Sequence, residues 1–378
     1  MIPRDRFLRW LSAGIISVVV SAEPARAQVW EYGGFIDLGY LHDFNDPDVK
    51  LFRSRGTAWH LDEIVLNMAG VYVKKRPSDR SRWGSEVLIH AGKDDEIFGF
   101  SATAPNLAGS RVLRHLGLAN VSYLAPVGLS LQGGIFGSLI GYDSLYAKDN
   151  ANYTRPWGAD FTPYLMLGVN ASYPFTDKLT ATFAFVNGYW HLAHANNVPS
   201  SVVQVAYKPT AASTLKQTIM IGPHQPDTAI GFWRVLSDTI VERRWLRGAA
   251  AFEMIVSTER VDAPDRSRVW WMSAQVPVRW SIAGPWNVAA RPEIAWDSRG
   301  RWTLAEQTVT ALTSTLEYRR PLKSATSIVR IEHRFDQSRG PGGGFFDRGE
   351  AAPALPRLTP SQHLLIVSAI FTFDSSSQ

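Results

Sequence analysis

The chain has 378 residues, no cysteine, and a formal net charge of +5, with 14 Trp, 18 Phe, 12 Tyr and 29 Gly. The absence of thiols excludes a disulfide framework and any cysteine-based metal site, and the near-balanced charge gives no electrostatic reason for a nucleic-acid partner. Abundant aromatics and glycine suit a β-rich protein better than a helical one.

The N-terminal stretch MIPRDRFLRWLSAGIISVVVSAEPARAQ carries a basic start (Arg4, Arg6, Arg9), an apolar run from Leu11 to Ala22, and a small-x-small site at Ala25-Arg26-Ala27. This is the pattern of a secretory signal peptide of bacterial type. Residues 1–27 are expected to be removed, leaving a single domain over 28–378. The apolar run is too short to span a bilayer, and beyond it there is no run of about 18 apolar residues. A membrane protein could take such a composition only as a β-barrel, in which each strand is half apolar.

Alternation of apolar and polar residues recurs from end to end. FIDLGYLHD sets Ile36, Leu38 and Tyr40 against Asp37, Gly39 and Asp43. EIVLNMAGVY sets Ile64, Leu66, Met68 and Tyr72 against Glu63, Asn67 and Ala69. SEVLIH sets Val87 and Ile89 against Glu86 and His90. KLTATFAFVN places Phe183 and Phe185 opposite Thr182 and Ala184. AFEMIV places Phe252, Met254 and Val256 opposite Glu253. SAQVPVRW opposes Val276, Val278 and Trp280 to Gln275 and Arg279. RPEIAWD opposes Ile294 and Trp296 to Arg291, Glu293 and Asp297. TSTLEYRR opposes Leu316 and Tyr318 to Glu317 and Arg319. IVRIEHRFD opposes Val329, Ile331, His333 and Phe335 to Arg330, Glu332, Arg334 and Asp336. Successive strand residues point to opposite faces, so each segment has one apolar face and one ionic face. A half-buried soluble sheet gives the same alternation. The large aromatics at strand ends and the alternation of connection lengths favour a membrane barrel.

The predicted strands are 30–44, 59–74, 82–91, 112–125, 127–137, 161–173, 178–187, 200–207, 214–221, 235–243, 248–257, 267–281, 286–297, 307–319, 324–337 and 363–373. That is about 16, with roughly 14 to 18 compatible with the pattern. Short turns such as RPSDRS, AGP and RPLK alternate with long Gly- and Pro-rich connections such as 45–58, 92–111, 138–160 and 338–362. The fold class read from this is an all-β transmembrane antiparallel barrel, with short periplasmic turns and long extracellular loops. Pro277 and Pro292 fall inside proposed strands and predict bulges or strand ends. The segment RGPGGGFFDRGEAAPALPRLTP reads as a flexible surface loop. In the last strand Leu364 and Ile366 spoil the alternation.

An Arg facing lipid at midplane costs about 2 to 4 kcal/mol, whereas a barrel of this size has a water-filled lumen. The ionic faces therefore point inward. The expected pore-lining residues are Asp37, Glu63, Asn67, Glu86, Glu253, Arg279, Arg291, Glu293, Asp297, Glu317, Arg319, Arg330, Glu332, Arg334 and Asp336. Their opposite charges neutralise each other, which predicts weak ion selectivity, and reversing Arg330 and Arg334 to Glu is expected to shift permeability toward cations with little loss of folding. The 138–160 connection could supply a constriction through Tyr142, Asp143, Lys148, Asp149, Asn152 and Arg155, or it could lie outside as a surface loop.

GFIDLGYLHDFNDPD and HLDEIVLNMAGVYV near the start, with NANYTR (150–155), FAFVNGYWHLAHANN (183–197) and VRIEHRFDQS (329–338), resemble the OmpL-like β-barrel porin family. The resemblance implies a bacterial outer-membrane channel. Carried over by motif, it marks Asp37, Glu63, Asn67, Asn152, Arg155, Asn187, Asn196, Arg330, Glu332, Arg334 and Asp336 as polar positions of the lumen or its mouth.

No phosphate-binding glycine loop and no G-x-S-x-G elbow occurs. The HLAH stretch at 191–194 reads as incidental rather than metal-binding, as do His60, His90, His115 and His333. The expected function is passive diffusion of small hydrophilic solutes or ions, with no enzyme activity and no cofactor. The expected partners are outer-membrane lipid, the barrel-assembly machinery during biogenesis, the solutes themselves and, by fold analogy, two further copies in a homotrimer. A closed barrel serving as a structural or adhesion scaffold through its loops is the alternative, followed by an enzyme acting on lipid.

Overall fold

The computed structural model describes residues 30–101, 104–261 and 267–375; residues 1–27, expected to be a signal peptide, lie outside them. In chain order the strands are β1 (Trp30–Asp43), β2 (Ile64–Lys75), β3 (Trp83–Ala91), β4 (Leu116–Leu124), β5 (Ser130–Gly137), β6 (Leu165–Pro174), β7 (Leu179–Val186), β8 (Ser200–Thr210), β9 (Ser213–Pro223), β10 (Trp233–Trp245), β11 (Gly248–Arg260), β12 (Arg268–Gln275), β13 (Val278–Ala283), β14 (Trp286–Asp297), β15 (Gln307–Pro321), β16 (Thr326–Arg339), β17 (Phe345–Ala352), β18 (Leu355–Thr359) and β19 (Ser361–Asp374).

From β1 to β12 and from β13 to β16 each strand pairs antiparallel with the next, β16 pairs with β19 past the β17–β18 hairpin, and β1 closes on β19 from Gly33 opposite Asp374 to Asp43 opposite Leu364. Strands β12 and β13 both pair with β11 and β14, so together they form one stave of a closed 16-strand barrel. Closure matters because hydrocarbon offers no partner to an unpaired edge, and a sheet satisfies every N–H and C=O there only by meeting itself. Among the described residues no helix is long and apolar enough to cross a membrane.

The alternation read from the sequence becomes an outside and an inside. Ile36, Val71, Ile89, Val169, Phe183, Phe252, Ile294, Ile331 and Phe371 are exposed on the outer wall. At the short-turn rim that wall carries tilted or edge-on aromatic pairs: Trp83 with Tyr123, Trp245 with Trp280, and Trp286 with Tyr318. Such a girdle suits the membrane interface, where a ring can be apolar on its face and polar at its edge.

Several local expectations are corrected. Pro277 does interrupt its stave, because it has no N–H for the ladder, but the Ala251 N–H still donates to its carbonyl. Pro292 stays within β14 opposite Leu312. Asn67 is an extra residue between Leu66 and Met68 where β2 faces Leu38 and Asp37. This bulge re-phases the strand, so Met68 and Tyr72 turn inward rather than outward. Strands predicted to begin at 59, 112 and 161 begin later at the long-loop rim; residues Ser110–Leu113 are instead a short helix and Trp157–Phe161 a 3₁₀ turn. The glycine-rich 339–360 stretch contains the hairpin β17–β18.

Candidate functional site

The connection between β5 and β6, residues 138–164, folds into the barrel. The inner wall receives it with alternating charges. Carboxylates accept from its backbone N–H groups. Glu332 takes Tyr153 N–H at 2.6 Å, Thr154 N–H at 2.9 Å and the Thr154 hydroxyl at 2.5 Å. Glu293 takes Trp157 N–H at 2.5 Å, Glu253 takes Tyr142 N–H at 2.7 Å, and Asp238 takes Gly141 N–H at 2.8 Å. Guanidinium groups donate to its carbonyls. Arg330 reaches Ala147 O at 2.8 Å and Asn150 O at 2.7 Å, Arg291 reaches Thr154 O at 2.7 Å, and Arg334 reaches Arg155 O at 3.1 Å. A segment with no regular ladder of its own still has backbone groups to satisfy, and here the wall satisfies them.

The charges also pair along the wall. Arg334 lies 2.9 Å from Glu293 and 2.8 Å from Asp336, and Arg330, Arg319 and Arg279 converge on Glu317 at 2.7 to 3.0 Å. Arg330 is 1% exposed, and Glu332, Arg334 and Asp336 are 0% exposed. These four residues therefore do not face lumen water as expected from their strand alone; the inner loop covers them. The loop-facing apolar residues Leu364, Ile366 and Ile370 of β19 pack in one cluster with Tyr153 and Trp157. That explains the imperfect alternation of the closing strand.

Three loops meet at Trp157. Its indole N–H donates to Asp336 at 2.8 Å, Arg55 from the 44–63 loop lies 4.9 Å over its ring, and Phe345 of the hairpin approaches from the other side. Tyr153 donates to Asp37 at 2.9 Å and accepts from Asn67 at 2.6 Å. It approaches β1 so closely that a Cβ at Gly39 would lie 2.4 Å from its hydroxyl. Behind the loop, Arg55 and Asp160 form a buried pair at 3.0 Å. Asp94, from the β3–β4 connection, accepts Ala58 N–H at 2.7 Å. Burial pushes the Asp94 carboxyl up to about 7, against a smaller opposing pull from the Arg155 guanidinium.

The other predicted positions divide. Glu63 lies outside β2, exposed and paired with His60 at 2.7 Å, because β2 begins after it. Glu86 pairs with Lys74 at 3.1 Å on the inner wall below the loop. Asp297 caps the β14–β15 connection, accepting the N–H groups of Arg301, Trp302 and Thr303. Within the loop Lys148 pairs with Asp149, Asn152 donates to Thr315, Asp143 accepts from Gln275, and Arg155 donates to Tyr153 O and Leu145 O.

Two spaces inside the barrel border the described residues of this site. At the short-turn side a cavity of about 400 Å³ is bordered by Asp143, Asp149, Lys216, Glu242, Arg244 and Arg279. At the long-loop side a smaller cavity of about 200 Å³ is bordered by Asn187, Tyr189, Trp190, Arg234, Arg301 and Trp302. Between them lies an apolar cluster, Ile140 of the loop against Met166, Val202, Met220, Leu236 and Ile255 of the wall, alongside the buried Thr218, Asp238 and Glu253. Lys216, Arg244, Trp157, Arg55 and Asp94 were not singled out from the sequence. Lys216 and Arg244 follow the same period-2 rule on β9 and β10; the other three sit in loops with no periodic signal.

A family model described as "Putative beta-barrel porin-2, OmpL-like" matches residues 30–373. The chain belongs to this porin family. No curated protein matches it. Among solved structures the porin is similar in fold to the outer membrane channel DcaP of Acinetobacter baumannii, at 8% identity and TM-score 0.57, covering 91% of this chain and 97% of that one. An anion-selective porin from Comamonas acidovorans matches at 11% identity and TM-score 0.57 over 91% and 99%. OmpF of Salmonella typhi, in complex with daunomycin, matches at 10% identity and TM-score 0.57 over 91% and 97%. At such identities the likeness concerns the fold. Family and fold together make the protein an outer-membrane porin channel.

Proposed function

We propose that this outer-membrane porin passes small hydrophilic solutes or ions by passive diffusion, along a path narrowed by the 138–164 loop, without catalysis and without a cofactor. The observation that carries this reading is the division of the inner charges. One set is spent on holding the loop, and a second set at Asp143, Asp149, Lys216, Glu242, Arg244 and Arg279 borders an open cavity. That second set, with both signs present, would shape the field a solute crosses. The long-loop rim is extracellular and the short-turn rim periplasmic in this reading, as barrels of this class insert.

Residues 1–27 act as a cleaved signal peptide, and the mature chain reaches the membrane through the periplasm and the barrel-assembly machinery. A homotrimer is the proposed assembly; one solved relative in fold, OmpT of Vibrio cholerae, is described as a trimer form. The apolar cluster between the two cavities favours a second reading, a closed barrel that acts as a scaffold through its loops. Single-channel recording of the refolded mature chain in a planar bilayer decides between them. Stable steps in potassium chloride are expected; a folded barrel that gives none would sink the channel reading.

A further inference from the structure

The smaller cavity lies at the long-loop end of the lumen, and its lining is one-sided in charge and in hydrogen bonding. Arg234 and Arg301 line it, and among the described residues no Asp or Glu does. Both guanidinium groups lean on a single carboxylate behind the wall. Arg234 meets Glu259 through two bonds of 3.1 Å, and Arg301 meets the same group. Asp297, beneath, is occupied by the backbone N–H groups of 301–303. Two guanidinium groups and two carboxylates, Glu259 and Asp297, balance in number, but among the described residues it is the guanidinium groups that line the cavity.

The acceptors there are already in use. Asn196 accepts from Val198 N–H and donates to two carbonyls. The ring nitrogens of His224 meet Tyr189 N–H and the Ser200 hydroxyl. Three donors are not in use. Among the described residues the Asn187 amide nitrogen, the Tyr189 hydroxyl and the Trp302 indole nitrogen are buried without a partner, and Tyr189 is only 1% exposed. A buried donor left unmade costs about 1–3 kcal/mol, so three together mark a place where an acceptor belongs. Rings complete the wall: Tyr189, Trp190 and Trp302 lie with centroids 5.1 to 5.6 Å apart. Arg234 stacks 4.5 Å over Tyr189 and 5.3 Å over Trp302.

From this donor excess, guanidinium lining and aromatic wall we infer that the cavity is a recognition site for a small organic anion with a flat apolar body, of the aromatic carboxylate class, held at the outer mouth before passage. A volume of about 200 Å³ lies below the roughly 300–1,000 Å³ of drug-sized sites, so one ring with its carboxylate is the fitting size. A neutral sugar would bring hydroxyl donors to a wall with few free acceptors. The inference deepens the channel reading by naming a solute class, and it rests on that reading for passage, not for binding.

Benzoate is the probe, with benzyl alcohol and glucose as neutral comparisons. Binding is read by tryptophan fluorescence of the refolded full barrel in detergent, since Trp190 and Trp302 line the cavity, and passage is read separately as block of single-channel current. Benzoate is expected to change the fluorescence saturably, while benzyl alcohol and glucose at equal concentration do not. Arg301→Gln should weaken benzoate about tenfold or more, as expected for a lost hydrogen bond to a charged group. Tyr189→Phe, which removes only the hydroxyl, should weaken it several-fold. Equal responses to benzoate and benzyl alcohol, a response to glucose alone, or no change in Arg301→Gln would each overturn the inference. Binding without any current steps would instead count against the channel reading and leave the site standing. Steps in salt with no benzoate response would do the reverse.

Discussion

The two sides of the lumen use charge in opposite ways. On β14 and β16 the inward ladder of Arg291, Glu293, Arg330, Glu332, Arg334 and Asp336 is buried and consumed by the inner loop. On β3 to β9 the inward residues below the loop, among them Glu86, Gln132, Asn170, Thr182 and Lys216, remain partly open to the interior. Both sides show the same period-2 alternation. What distinguishes them is whether the loop crosses in front. A charged inner face in a barrel is thus not by itself a pore wall; it can equally be a socket for unladdered backbone, since isolated N–H and C=O groups need partners as much as ions do.

This contrast can be broken most severely at Arg334. It faces both Glu293 and Asp336 from within the socket, and Arg334→Met would leave Asp336 buried without its cation and Glu293 with Arg291 alone at 3.4 Å. Loss of one partner of a buried pair costs about 3–5 kcal/mol. The expected result is a large drop in the thermal stability of the folded barrel, read by circular dichroism, and larger, noisier conductance in whatever folds. An unchanged melting curve would mean that the ladder does not hold the loop. The same reasoning replaces the selectivity shift expected for charge reversal at Arg330 and Arg334. Reversal there should unseat the loop before it tunes the ions.

A second perturbation sharpens the comparison through pH. With the Asp94 carboxyl pushed up to about 7 by burial, against 3.8 ordinarily, the group is favourable to the packed state when protonated. That contribution is whole below about pH 4 and is lost as pH rises through 7. The difference in melting temperature between the natural chain and Asp94→Asn should therefore grow from pH 4 to pH 8, with the variant the less pH-sensitive of the two. A difference that is flat across this range would show that Asp94 is not buried against the loops as described.

The smallest structural effect belongs to the open side. Lys216→Glu on β9 changes a side chain that borders the larger cavity and holds no loop carbonyl. Stability should move by no more than about 0.5 kcal/mol, the range of substitutions away from packed features, while the reversal potential under a salt gradient shifts toward cations. A stability loss as large as that of Arg334→Met would erase the distinction between the two walls.

Much was legible from the sequence by itself. Sixteen alternating segments, their turn rhythm and the closed barrel follow from period 2, and each predicted segment overlaps a strand or, for 267–281, the two strands that make one stave. The reason is that a membrane barrel obeys one local rule at every position: apolar outward, anything soluble inward. The resemblance of GFIDLGYLHDFNDPD and VRIEHRFDQS to porins of the OmpL-like family held for the same stretches. Three things had no local signature. The bulge at Asn67 depends on what β1 presents opposite it. Trp157, Arg55 and Asp94 act from loops, where no periodicity marks a side chain. The role of Arg330, Glu332, Arg334 and Asp336 depends on where residues 141–157 lie, which no spacing within β16 encodes. Facing is a property of a strand and its solvent, so the sequence determined it. Whether a face meets water or another stretch of backbone is a property of segments nearly 180 residues apart, and only the tertiary structure decided that.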